Sequence, residues 1–230
     1  MENKKLNENL KKEELLDAGS HMGHISYEVH QKARFILKEI PKKKSFSEID
    51  LDLTLLYFDQ VKIFLQKYIQ NVNDKVLWVG GKDGIGEIVK KYANVSNGFY
   101  MINKWKAGIL SNFDVTKKNI ENLKSLVPHP NDNTREQKKI YRKKDKLETI
   151  YSGIKYMTQL PKVMFVINVK KYMIAIKEAK NKGIPVIGLL DTDANPTLLD
   201  FFIPANDDTS ESVELICQKI SNIIVNNVAK

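Results

Sequence analysis

Two hydrophobic periods alternate along this chain. Between residues 53 and 70, Leu53, Leu56, Val61, Phe64, Leu65 and Ile69 recur at helical spacing, with Asp52 as the expected N-cap. VLWVGG (76–81) is then a short continuous apolar run, the pattern of a strand buried on both faces. The exchange continues downstream. The pattern predicts a helix over 85–92, a strand over 99–102, helices over 114–127 and 134–152, and a strand in VMFVIN (163–168). A helix over 172–182 stopped by Gly183, a strand in PVIGLLD (185–191), a short strand over 200–203 and a helix over 210–225 complete the series. Upstream, 10–18 reads as a short helix ending at Gly19, and 34–40 and 46–51 as short strands around PKKKS, where Pro41 breaks the first.

Strands that alternate with helices predict an α/β protein: a parallel sheet with helices on both faces and right-handed crossovers. The helices over 114–127 and 134–152, joined by the breaker cluster PHPNDN, form a hairpin inserted between the second and third sheet strands. The expected organisation is one α/β domain from 1–112 and 153–230, with a helical arm at 113–152. The second arm helix, TREQKKIYRKKDKLETIYSG, has few apolar positions and reads as largely solvated.

Charge changes the picture. The net charge of +9 is uneven: 114–150 hold ten Lys/Arg against six Asp/Glu, whereas 151–230 hold nine against eight. A near-neutral body with a basic limb suits a polyanionic partner. No apolar run is long enough to span a bilayer, so no membrane partner is expected. The single cysteine, Cys217, lies in an apolar helical pattern and reads as a buried, inert thiol. The first residues carry charges of both signs and no apolar core, which is not the pattern of a secretory signal or an acid-poor transit peptide.

Candidate chemistry concentrates in GFYMINKWKAGILSNF (98–113). Lys104 and Lys106 supply charge, Asn103 and Asn112 amide donors, and Trp105 either a flat face or an anchor. Nothing there joins a nucleophile to a base. Placed after a parallel strand, the loop occupies the position where α/β proteins hold ligands. VLWVGGKDGIGE has the layout of a phosphate-cradling turn, but its glycines at 80, 81, 84 and 86 fit neither G-x-G-x-x-G nor a P-loop. Lys82 touching a phosphate of a larger ligand is the reading preferred there. His21 and His24 are spaced like zinc ligands but lack companions, so no metal site is assigned. Asp191 and Asp193 follow a strand, where catalytic carboxylates also sit, yet Asp is equally the residue of caps and turns. The rival reading is a nucleotide-binding α/β enzyme using the Gly80 to Gly86 turn and Asp191.

Six ordered blocks favour a different answer: LLDAGSHMGH (15–24), VLWVGGK (76–82), INKWKAGILSNF (102–113), SGIKYMTQLP (152–161), AIKEAKNKGIPVIGLLDTDANP (175–196) and IPANDD (203–208). In these the chain resembles the S-two family of small-subunit ribosomal proteins over nearly its full length. The resemblance implies a flavodoxin-like sheet with a protruding helical hairpin. It also implies a structural protein without catalytic activity, cofactor or small-molecule substrate, bound to small-subunit ribosomal RNA and neighbouring ribosomal proteins. The family's tryptophan loop falls on Trp105, and its histidine–glycine block on His21, Gly23 and His24. Three features depart from the family pattern: Lys106 and Ala107 follow the tryptophan, Ala194 replaces a cysteine, and the hairpin is shorter.

The RNA-contacting candidates are therefore His21, His24 and Lys82, then Asn103, Lys104, Trp105, Lys106 and Asn112 in the loop. The arm adds Lys117, Lys118, Arg135, Lys138, Lys139, Arg142 and Lys143. GIKYMT, NKW and IPAND look like plastid-encoded members, so a plastid ribosome is the favoured location, with a mitochondrion or a bacterial cytoplasm open.

Overall fold

The computed structural model describes residues 6–39, 42, 44–81, 84–126 and 134–229. Its elements begin with α1 (Lys12–Asp17), β1 (Met22–Ile25), a 3-10 turn (Gln31–Ile36), β2 (Phe46–Glu48) and α2 (Leu51–Tyr68). Then come β3 (Val76–Val79), α3 (Ile85–Val95), β4 (Phe99–Met101), α4 (Phe113–Ser125) and α5 (Arg135–Tyr151). β5 (Val163–Val166), α6 (Met173–Asn181), β6 (Val186–Leu190), β7 (Phe201–Pro204) and α7 (Ser210–Val228) follow.

Five strands form one parallel sheet in the order β4-β3-β5-β6-β7. Counted along the chain this is second, first, third, fourth, fifth, the flavodoxin-like order. The order reverses between β3 and β5, so a crevice is expected beyond their carboxyl ends. Successive residues face opposite layers. Trp78, Phe165, Ile187 and Ile203 pack with α2, α3 and α7. Leu77, Val79, Met164, Val166 and Leu190 pack with α4, α6 and the loop after β4. Both layers are closed, which is why the strands read as unbroken apolar runs.

The hairpin's first helix is rooted in that second layer. Phe113, Ile120 and Leu123 of α4 share a buried cluster with the sheet residues. On α5 only Tyr151 is buried, and the side chains toward its N-terminus are half-buried or exposed. The breaker cluster at 128–133 lies outside the described residues. Among the described residues no helix is long and apolar enough to cross a membrane.

Three expectations are corrected. Of the stretch 34–40, expected as a strand, 34–36 close the 3-10 turn instead and Leu37 makes a single antiparallel bridge to Ile49; residue 40 lies outside the described residues. The His30 side chain accepts a hydrogen bond from Lys32 N–H and caps that turn, and Ala33 and Ile36, three apart, bury together. Asp50, not Asp52, caps α2: its carboxylate accepts from Asp52 N–H at 2.9 Å, and Leu51 is already helical. The segment around GSHMGH, for which no element was expected, forms β1, which pairs antiparallel with β2. Cys217 is fully buried, and burial pushes its thiol up.

Candidate nucleic-acid interface

β4 ends at Met101, and the chain turns at once into the loop carrying Lys104, Trp105 and Lys106. Trp105 is 8% exposed and points inward, so its two flanking lysines point out. It is an anchor, and its face is not open for stacking. What holds it is Glu178 on α6. The Trp105 indole N–H donates to Glu178 Oε1 at 3.2 Å and Gly108 N–H to the same oxygen at 2.7 Å. Leu110 and Ser111 N–H donate to Oε2 at 3.0 and 3.1 Å. Burial alone would raise this carboxyl's pKa; the Gly108, Ser111 and Leu110 amides and the indole outweigh it and hold it below its ordinary value. Gly108 takes φ of 100°, a conformation that favours glycine. The Thr116 hydroxyl closes the loop by donating to Ile109 C=O at 2.9 Å.

Asn103 is exposed, and its amide donates to Thr149 C=O on α5, tying loop to arm. Asn112 is also exposed; it is the N-cap of α4 but makes no capping bond with its side chain. Beside Asn103 and Lys104 lies a crevice of about 780 Å³ at the point where the strand order reverses, shared with Gly81, Gly86, Lys171 and Tyr172. Gly81 is required there: a Cβ would stand 1.5 Å from Ile102 C=O. Lys171 donates its ammonium to Gly81 C=O, and burial pushes the Tyr172 hydroxyl up to about 12. Lys82 lies outside the described residues.

On the arm, Arg135, Lys138, Lys139, Arg142 and Lys146 follow helical i, i+3, i+4, i+7 spacing and share one exposed face of α5. Lys143 is exposed beside them, while Ile140, Lys144 and Leu147 are half-buried on the inner side. On α4, Lys118 is exposed and Lys117 lies 4.8 Å over the Phe113 ring. Some cations of the body are committed differently, although among the described residues no ion pair engages its exposed Lys32, Lys67, Lys177 or Lys182. Lys12, Lys91, Lys162, Lys180 and Lys219 each pair with a carboxylate within 3.3 Å. Among the described residues no ion pair engages Lys104, Lys106, Lys118, Arg135, Lys138, Lys139, Arg142 or Lys143.

The two histidines stand elsewhere. His24 binds Asp191 Oδ1 through Nδ1 at 3.1 Å, with Asp208 at 3.6 Å and Asp193 at 4.0 Å from Nε2. The Asp191 hydrogen bond, helped by the charges of Asp191, Asp193 and Asp208 and opposed by burial, raises its pKa to about 9. Its charge therefore meets carboxylates, and it clamps β1 onto the carboxyl end of β6. His21 lines the same pocket, and its Nδ1 is buried without a partner.

Asp191 is used up structurally. Besides His24, it accepts from Thr192 N–H, from the Thr192 hydroxyl and from Asp207 N–H at 2.5, 3.1 and 3.0 Å, and it is 1% exposed. The turn at Gly81, Gly84 and Gly86 lines a different pocket from Asp191. The parts of a nucleotide-using enzyme are thus not brought together. Sequence reasoning missed Glu178, Lys171 and Tyr172. One signal for Glu178 existed: an acid on the apolar stripe of a helix, between Ala175 and Ala179.

Fold and site define a class: a flavodoxin-like α/β body that carries an uncompensated cationic loop and two-helix arm. The profile of the family described as Ribosomal protein S2 matches residues 15–227, and the chain belongs to that family. It is 37% identical to a small ribosomal subunit protein uS2 of Cytophaga hutchinsonii, over 90% of this chain and 83% of that protein. The uS2 proteins of Chlorobium phaeobacteroides and Borrelia duttonii are 35% and 38% identical, over 94% and 92% of this chain and 86% and 84% of theirs.

Proposed function

We propose that this chain is a structural constituent of a small ribosomal subunit. It grips folded ribosomal RNA through the Lys104–Lys106 loop and the outer face of α5, while other surfaces meet neighbouring ribosomal proteins. One observation carries the reading: the cations of the loop and of the outer face of α5 are clustered and exposed, and among the described residues no ion pair engages them. Unpaired cations release counterions when they meet phosphates, and RNA helices are recognised mainly by shape and backbone. The names of the relatives point the same way. Trp105 contributes by fixing the loop, and Asn103 and Asn112 by offering amides beside it. His24 contributes by holding the N-terminal ribbon through Asp191, and His21 lines the same pocket. No catalytic turnover belongs to this reading.

The relatives reported are bacterial proteins, so the ribosome is of bacterial type. A plastid location is supported only by the GIKYMT, NKW and IPAND blocks. Sequencing the small-subunit RNA that co-sediments with the native protein decides it. Arg142, Lys143 and Lys144 together replaced by glutamate should leave the sheet folded and reduce incorporation into subunits. Undiminished incorporation would defeat the arm's electrostatic role.

A further inference from the structure

One concavity on this basic protein has the opposite character. A pocket of about 640 Å³ opens between the β1–β2 ribbon and the carboxyl ends of β6 and β7. Its carboxylates are Glu28, Glu48, Asp191 and Asp208; the His24 imidazolium meets Asp191, and Lys38, outside the lining, pairs with Glu48 at 3.0 Å. No described lysine or arginine lines it, although the chain holds 37 of them. Its apolar wall is unusually open to water. Phe46 is 75% exposed and Met22 48% exposed, with Ile25 between them on the ribbon. Tyr27, beside the pocket in sequence, is 73% exposed.

We propose that this groove docks a basic, apolar-punctuated segment of a neighbouring protein, with an arginine or lysine side chain toward Glu28 and its apolar side chains against Phe46 and Met22. RNA is the wrong occupant, because a phosphate there would face several carboxylates and one already neutralised imidazolium. A cationic segment meets complementary charge, and a guanidinium also gains from the face of an exposed ring. The cationic loop and arm repel such a segment, so the groove supplies selectivity as well as attraction. The inference rests on the reading of this chain as a subunit constituent with protein neighbours. It divides the surface: loop and arm for RNA, ribbon groove for protein.

The test uses the full chain and a short fluorescent peptide alternating arginine with leucine, with its glutamate–leucine counterpart as control, read by anisotropy at physiological salt. The arginine peptide should bind and the glutamate peptide should not. Glu28→Lys and Phe46→Ser, both surface changes checked by circular dichroism, should each weaken binding by about tenfold. Equal binding of the two peptides, or unchanged affinity in both variants, would overturn the proposal. RNA binding measured in parallel separates the two readings: Glu28→Lys should not weaken it, and failure of the wild type to bind RNA would strike the subunit reading instead.

Discussion

At Glu178 a single carboxylate accepts four hydrogen bonds from one loop and is its main polar organiser. Replacing it with alanine strands those donors in a buried site, at a cost on the order of 3 kcal/mol. Urea unfolding of Glu178→Ala should show that loss, and RNA affinity should fall although Glu178 touches no RNA. Full RNA affinity in a folded Glu178→Ala protein would mean that the loop needs no organiser. His24 makes a separate prediction. Its folded pKa of about 9 lies above its ordinary 6.5, so its contribution is complete below about 6.5 and is lost as pH rises through 9. Asp207, buried beside Asp191, Asp208 and Asp193, has its pKa raised, so its ionisation also costs stability as pH rises. Stability should therefore decline from pH 6.5 to 9 by about 2 kcal/mol once screening is allowed for. His24→Asn should flatten that decline. A wild-type profile that is flat or rising over this window would contradict the clamp. Little of this was legible in advance. Trp105 could be read as face or anchor, and only its place on an apolar helix stripe set Glu178 apart from the other acids.

Among the elements, the hairpin combines two behaviours. Its α4 base belongs to the core, with Ile120 and Leu123 each 3% exposed, whereas α5 shows solvent its cationic face. Leu123→Ala should accordingly destabilise the whole domain by about 3 kcal/mol, as large-to-small changes in a packed core do. If equilibrium unfolding of that variant matched wild type, the arm would be an independent limb. The long helices and the sheet strands were readable because each repeats one period over enough residues to be unambiguous. The short elements near the N-terminus were not. Residues 34–36 carry a strand-like composition, but His30 caps a 3-10 turn and Asp50 pre-empts Asp52, and both outcomes depend on local hydrogen bonds. β1 was missed because its side chains are exposed or half-buried and give no apolar alternation.

Over the whole molecule, charge is sorted by location. Parallel strands deliver their loops to one edge, where a cationic crevice at β3–β5 and an acidic groove at β6–β7 lie side by side in the sheet order. The α/β class was legible from alternating runs alone. The reversal of strand order, and hence the position of the crevice, came from the family resemblance and from the structure. Which cations are held in ion pairs was hidden too, because pairing joins residues such as Lys219 and Glu14 that are distant in sequence.

The central claim is that unpaired cations on loop and arm bind RNA phosphates. The most direct measurement is the affinity of the purified chain for small-subunit ribosomal RNA across a salt series. Between about 50 and 200 mM salt, engagement of about six phosphates should lower affinity by about 10³. The Arg142, Lys143 and Lys144 to glutamate variant should show a shallower slope. Affinity independent of salt, or an unchanged slope in that variant, would contradict the account.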